Sequence, residues 1–398
     1  MSKIRVAARS GFEWFFAFVL ASALAGSTSQ AAAAGTSVVA WGAGKTVNIG
    51  STNDYGQSIV PQNLTNAVQV AGGWWHSIAV KADGTVQGWG DDRLGQLDLP
   101  AASNYVAVAC GDWFTAALMS NGTVAAVGDN YNDFGERNVP GDLSNAVFIS
   151  CGFYHCLALK SDGTLADWGG ENEVDYGQGT GTIPDGLSNV VAIAAGGLHN
   201  LVLKSDGSLL AWGSGEFGET NIPTGLSHVV AIAAGGYHNL VLEANGKVVA
   251  WGANNYGQTN VPSNLSNVVA IAAGQWHSLA LKDNGTVIAW GLDTEGDTNV
   301  PANLTNVVQI AAGDFHCLAL VRTNLPPTRT VVLRPKVGTN GFSVSVPTQN
   351  GRVYQLQYKD ALTDGVWQSL PLQAGTGGNL QLTDPAVTPR RFYRVERW

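Results

Sequence analysis

Apolar positions fall in a fixed rhythm along most of the chain. A run such as VVAIAA (Val268–Ala273) is followed by a glycine turn. HSLALK (His277–Lys282), an Asp-Asn-Gly step and TVIAW (Thr286–Trp290) come next. The first run is apolar throughout, as expected of a strand covered on both faces. Asp-Asn-Gly is a hairpin signal. TVIAW is rich in residues that favour strands. A polar loop with a second glycine leads to a short fourth strand around Thr298–Val300. Pro301, which lacks a ladder donor, ends it. Each unit therefore predicts a four-stranded meander.

The unit recurs. Full copies begin near Ala67, Tyr105, Ala146, Val190, Val229 and Val268, mostly 38–39 residues long, with longer ones from Tyr105 and Ala146. Residues 307–322 hold only the front half and residues 36–66 only the back half. Together they make a seventh unit, split between the ends of the array. A linear solenoid has no use for such a split, whereas a closed ring uses it to pin itself shut. The expected fold is all-β: a seven-bladed β-propeller with a split closing blade over residues 35–322. A linker at 323–330 contains Pro326-Pro327. Alternating runs over 331–398 predict a small β-sandwich, similar to fibronectin type III modules.

Composition fits this picture: 50 of 398 residues are glycine and only 13% are charged, as short strands joined by tight turns require. Residues 1–34 read as a signal peptide, with basic Lys3, Arg5 and Arg9, an apolar stretch from Trp14 to Ala25 and small residues at Ala31–Ala34. The stretch is short beside the ~20 residues of a membrane span. A secreted protein with no span after cleavage is expected. Residues 35–322 carry 9 basic and 25 acidic side chains, while residues 323–398 carry 9 and 4. So acidic a propeller is a poor partner for nucleic acid and suits a basic protein surface. Cys110, Cys151, Cys156 and Cys317 fall where other copies carry small residues, so they read as buried free thiols with no metal-ligand spacing.

Strand alternation puts the first-to-second turns and the third-to-fourth loops on one side of the disc. The residue before the repeat's histidine is Trp75, Phe114, Tyr154, Tyr237, Trp276 or Phe315, with Leu198 interrupting. Trp74 and Trp113 add to this ring, and Tyr55, Phe134, Tyr176, Phe217 and Tyr256 form a second one in the later loop. An exposed apolar patch of that size marks a binding surface, which Tyr and Trp commonly anchor. Trp41, Trp89, Trp168, Trp212, Trp251 and Trp290 lie within strand three and read as core between blades.

His76, His155, His199, His238, His277 and His316 share one repeat position, with Thr115 in the seventh place. Blades packed ~10 Å apart cannot bring such residues within the ~2 Å of a Zn–N bond. The expectation is a structural imidazole that satisfies a turn carbonyl. His228 has no evident partner. No nucleophile–base pair, paired-carboxylate constellation or phosphate-binding loop appears, so a non-enzymatic protein without cofactors is expected.

The repeat AAGxxHxLALKxDGTVxAWGxNxxGQ resembles that of the regulator of chromosome condensation family of seven-bladed propellers, over about residues 36–322. In its compact repeat, its opening TSVVAWG (Thr36–Gly42) and its GQTNVP segment (Gly257–Pro262), the chain is also similar to secreted bacterial propellers that inhibit β-lactamases. That resemblance implies a protein partner, such as a secreted enzyme, docked on Trp75, Phe114, Tyr154, Tyr237, Trp276 and Phe315; a monomer is expected. Three features depart from the pattern: Leu198, the Thr115/Val127 unit, and an insertion at Glu171–Asp175. The alternative is a carbohydrate-binding or adhesion module, because aromatic rings also stack on sugars. An enzyme using the central depression is disfavoured.

Overall fold

The computed structural model describes residues 35–46, 53–129, 134–170, 182–323 and most of 336–397, with two further strands at Ile4–Arg9 and Leu20–Ala21. It divides into two compact units, residues 32–324 and residues 325–398 with 1–31.

The first unit is a ring of seven antiparallel sheets. Blade 1 consists of an inner strand Ala67–Gly72, a middle strand His76–Lys81 and an outer strand Val86–Gly90. Blades 2 to 6 repeat this plan with inner strands Tyr105–Cys110, Ala146–Cys151, Val190–Ala195, Val229–Ala234 and Val268–Ala273. Blade 7 pairs Val307–Ala312 with His316–Arg322 and takes its outer strand, Thr36–Gly42, from the far end of the array. The register runs from His316 opposite Gly42 to Arg322 opposite Thr36. Inner strands pack on their neighbours all the way round, with blade 7 against blade 1. The split blade closes the ring as the half-copies predict.

The expected fourth strand does not form, and each blade has three strands among the described residues. The segment around Thr298–Val300 spends its backbone groups on local turns: Asn299 N–H donates to Gly296 at 3.1 Å and Val300 N–H to Thr298 at 3.0 Å. Asn260 and Val261 repeat these bonds in the preceding link. The link packs on the blade through side chains instead. Leu97 lies so close to Gly88 that a Cβ there would meet it at 2.6 Å.

Middle strands are buried along nearly their whole length, as in HSLALK and HNLVLE. The strand-three tryptophans are core, as expected. Trp41, Trp89, Trp168, Trp251 and Trp290 are buried, and Trp212 is half-buried. Each of the five buried indoles also donates to a carbonyl of the preceding link: Trp89 to Gln57 at 2.8 Å, Trp168 to Glu136 at 2.8 Å, Trp251 to Glu219 at 2.8 Å, Trp290 to Gln258 at 2.9 Å and Trp41 to Asp297 at 2.9 Å. The hairpin Asp or Asn residues accept from the residue two places on, as Asp83 does from Thr85 N–H and Oγ1. His228 has the left-handed backbone, φ 50°, that Asn66, Asn189, Asn267 and Asn306 adopt at the same place in their links. Asn and His tolerate that region better than most side chains. The position is conformational.

The cysteine expectation is corrected. Cys151 and Cys156 lie directly opposite on adjacent strands of blade 3 and are joined by a disulfide, while Cys110 and Cys317 are free. Four scattered cysteines conceal this pairing because their sequence separation of five looks too short. A tight turn between antiparallel strands brings them face to face.

The second unit has two sheets. One places Ile4–Arg9 beside Arg390–Arg397, which pairs with Val353–Lys359; the other orders Lys336–Gly338, Gly341–Pro347 and Asn379–Asp384. Phe342, Val344, Tyr354, Leu356, Leu382 and Tyr393 fill the core between them. Asp384 lies buried at its rim and accepts from Arg391 at 2.6 Å and Tyr393 at 3.0 Å. Of the strand-like run Val366–Pro371, only Gln368–Ser369 forms a strand. The run Thr330–Pro335 and the signal-peptide cleavage zone lie outside the described residues.

Candidate functional site

The turns between inner and middle strands converge on the ring axis. A cavity of about 70 Å³ lies there, lined by turn residues from every blade. Such convergence leaves no room for a side chain at the first shared glycine. A Cβ on Gly235 would meet the next blade's Gly274 carbonyl at 2.4 Å and its own His238 ring at 2.5 Å. Backbone bonds also cross between blades: Asp314 N–H to Gly73 at 3.2 Å, Asp112 to Phe153 at 3.3 Å, Phe153 to Gly197 at 3.3 Å and Gly236 to Gly274 at 3.2 Å.

Behind the turns runs a belt of histidines. Their Nε2 atoms do not satisfy turn carbonyls as expected, but reach across to the middle strand of the next blade. His76 meets Thr115 at 3.0 Å, His155 meets Asn200 at 2.9 Å, His199 meets Asn239 at 2.9 Å, His238 meets Ser278 at 2.9 Å, His277 meets Cys317 at 3.1 Å and His316 meets Ser77 at 2.7 Å. Ser77 Oγ in turn donates to the Gln57 carbonyl at 2.9 Å, which also accepts from Trp89. A serine that donates onward must accept from the histidine, so His316 carries its proton on Nε2. Asn200 and Asn239, accepting through Oδ1, impose the same tautomer on His155 and His199. Burial without charge holds the imidazoles far below their ordinary pKa, His238 and His316 at about 3 and the other four at about 4. Among the described residues no three metal-ligating side chains gather.

One predicted contact residue is misplaced. Phe114 pairs with Gly128 as His76 pairs with Gly90, so it occupies the histidine position and is buried at 1% exposure. Trp113 is the turn tip in blade 2, and Thr115 stands where Ser77 does in blade 1. Counting from the shared glycine, Gly111 against Gly73, would have revealed this. The belt registers the change: with no histidine in blade 2 to donate to it, the partner position in blade 3 is Cys156, which is bonded to Cys151 instead.

The remaining tips come together in two arcs. In the first, Trp75 lies 4.6 Å from Tyr55, 4.6 Å from Trp74 and 4.6 Å from Trp113 between ring centres. Arg93, held by Asp91 at 2.7 Å, covers the Tyr55 ring at 4.3 Å. In the second, Tyr237 stacks on Trp276 at 4.7 Å and meets Phe153 at 5.8 Å and Phe217 at 5.5 Å. Tyr154 joins Phe134 at 4.8 Å, and Tyr256 joins Trp276 at 5.3 Å. The tips and the later-loop aromatics therefore share one face. Trp74, Trp75, Trp113, Tyr154, Tyr237, Trp276 and Phe315 are half-buried, whereas Phe217 and Tyr256 are exposed. Leu198 is buried, and Phe315 stacks on no ring among the described residues. Tyr176 and the Glu171–Asp175 insertion lie outside the described residues.

Of the residues two places before the histidine, sequence reading singled out Trp74 and missed the rest. They are Trp74, Asp112, Phe153, Gly197, Gly236, Gln275 and Asp314 from blade 1 to blade 7. Asp112 and Asp314 flank blade 1 and line the axial cavity. Burial raises both carboxyls, Asp314 to about 7, and the Asp314 charge raises Asp112 further.

A closed seven-bladed ring with this glycine–histidine turn and buried strand-three tryptophan defines a class of repeat propeller. The chain carries repeats of the regulator of chromosome condensation (RCC1) type, whose family model matches residues 67–96, 105–135, 190–219, 229–258 and 268–297. Solved structures share the fold. Saccharomyces cerevisiae Prp20p, studied for its binding to Gsp1p and histones, is 20% identical, with a TM-score of 0.58 over 73% of this chain and 92% of that one. Human WBSCR16 is 21% identical, with a TM-score of 0.57 over 72% of this chain and 99% of its own. The ectodomain of the Physcomitrella patens receptor kinase CR4 is 23% identical, with a TM-score of 0.52 over 71% and 80%. No curated protein sequence gives a significant match.

Proposed function

We propose that this is a secreted, non-enzymatic binding protein that docks a protein partner on the aromatic face of its propeller. The observation that carries this reading is the gathering of the aromatic rings into two packed arcs. Stacked half-buried rings are rigid and offer large amphipathic area at little cost in conformational entropy, which is what interface anchors require. The excess of acidic side chains in the propeller favours a basic partner surface. Prp20p, which has the same fold, binds Gsp1p and histones, and this supports protein recognition as a use of such a ring. Inhibition of a secreted enzyme such as a β-lactamase is the narrower form of the proposal.

The test is affinity capture from the secreted fraction by the full chain, repeated with Trp75, Tyr237 and Trp276 changed to Ala. Truncating central aromatic anchors costs about 2–4 kcal/mol each. We expect the captured protein to be lost from the triple variant while its melting curve stays cooperative. Undiminished capture would place the interface elsewhere. Binding on a glycan array without protein capture would replace this reading with a carbohydrate-binding one.

A further inference from the structure

We propose that the axial end of the aromatic face is a receptor site for a protonated alkylamine, held by Asp112 and Asp314 beside Trp74; in the docked state this is a lysine side chain of the partner. The proposal rests on the docking reading and names the chemistry at its centre.

Asp112 and Asp314 reach the axis from blades 2 and 7, and Trp74 holds the same repeat position in blade 1 between them. Asp112 is 4% exposed, and neither carboxylate has a hydrogen bond among the described residues. Asp314 Oδ2 is sealed from solvent with no partner. Buried carboxylates are ordinarily paired or hydrogen-bonded, so an unpartnered facing pair is a costly arrangement. The charged groups acting on Asp112 are Asp314 and Glu136, both acids, so the chain supplies no counter-charge there. Both line the axial cavity. What would compensate them is a cation from outside.

Size and surroundings select the cation. A cavity of about 70 Å³ has room for the head of an alkylammonium, a compact charge whose three donors can meet two carboxylates at once. Calcium and magnesium take six or more oxygens and zinc four ligands, and no third metal-ligating side chain joins the pair among the described residues. Trp74 and Trp113 adjoin the cavity-lining Gly73 and Asp112 in the chain and cluster with Trp75, their ring centres 4.6–4.8 Å apart, and indole faces attract organic cations.

The full chain is titrated with n-butylammonium chloride against sodium chloride of equal ionic strength, followed by tryptophan fluorescence and calorimetry. We expect saturable binding with a change in indole emission. In the Asp112→Asn/Asp314→Asn double variant it should weaken at least tenfold. Asn copies the shape of the protonated acid, so the variant should fold, and its melting curve checks this. Asp314→Asn alone should give an intermediate loss. No saturation, an unchanged affinity in the double variant, or saturable calcium binding without amine binding would each overturn the proposal. The two readings separate cleanly. Partner capture without amine binding leaves the docking face and removes this site; amine binding without capture does the reverse.

Discussion

Acidified from pH 7.5 to pH 4.5, the propeller is expected to lose most of its stability and to take up about three protons as it unfolds. Six buried imidazoles have pKa values of about 3 to 4 in the native state, against an ordinary value near 6.5. Desolvation is the main cause. Neighbouring histidines add to it at His238, through His277 and His199, and at His316, through His76 and His277. Below about pH 6.5 the unfolded chain binds protons that the native belt refuses. The belt's contribution is therefore whole above that pH and lost as pH falls toward the native values.

Three strongly raised carboxyls act in the opposite sense, while the smaller rises at Asp92, Asp167 and Glu219 are set against the falls at Asp83, Asp162 and Asp206. Asp297 and Asp314 are raised to about 7, and burial and the Asp314 charge raise Asp112 well above its ordinary value. Between their native and unfolded pKa values these groups hold protons that the unfolded chain releases, so acidification through that window stabilises. Six groups against three leave a net slope of roughly 4 kcal/mol per pH unit. Over 1.5 units this approaches the roughly 5–15 kcal/mol that stabilises ordinary domains. Urea unfolding followed by tryptophan fluorescence at pH 7.5, 6.5, 5.5 and 4.5 measures the slope. His238→Gln keeps a donor toward Ser278 and should reduce the slope by about one proton. A flat profile would show that the imidazoles are not buried as a neutral belt.

The belt also shows what a single chain discloses of its own structure. Repetition made blade number, ring closure and buried tryptophans legible, because each copy restates the same spacing and random change does not. VVAIAA and AWG recur at fixed intervals, and the two half-copies predict their own pairing. Contacts that cross from one copy to the next were not legible. Nothing in His238 points to Ser278, since the bond depends on how adjacent blades tilt. The exceptions were hidden for a different reason. Phe114 looks like a turn-tip aromatic only because its blade lost the histidine that marks the register. Asp112 and Asp314 stand out only when the ring makes blades 2 and 7 near neighbours of blade 1; along the chain they are 202 residues apart. The absent fourth strand is a failure of another kind. Its residues favour strands, but successive local turns claim their backbone groups first.

Removing residues 35–42 should abolish folding of the propeller, an effect larger than that of any single core substitution. Every other outer strand is held to its blade by a short hairpin, whereas Thr36–Gly42 has no such link and is held by non-covalent contacts alone, its ladder with His316–Arg322 among them. Those contacts are extensive. Trp41 packs in the core shared by blades 6 and 7, Val38 in the core shared by blades 7 and 1, and Trp41 Nε1 donates to Asp297. Thr36 Oγ1 donates to the Ala67 carbonyl at 2.7 Å, stitching the strand to blade 1. Without the strand, the middle strand of blade 7, buried at Cys317, Leu318 and Leu320, becomes an unpaired apolar edge. Such edges promote aggregation. Trp41→Ala alone should cost about 3–5 kcal/mol, as a large core aromatic does. Trp290→Ala, its equivalent within a continuous blade, should cost about the same. The deletion removes a whole ladder and opens the ring, so soluble monomer should be absent by gel filtration. A synthetic peptide of residues 35–44 added during refolding should restore part of it. A cut within Ala31–Ala34 leaves the strand intact, whereas one eight residues later would destroy it. If the deleted chain instead melts cooperatively at the wild-type temperature, the closing strand does not hold the ring.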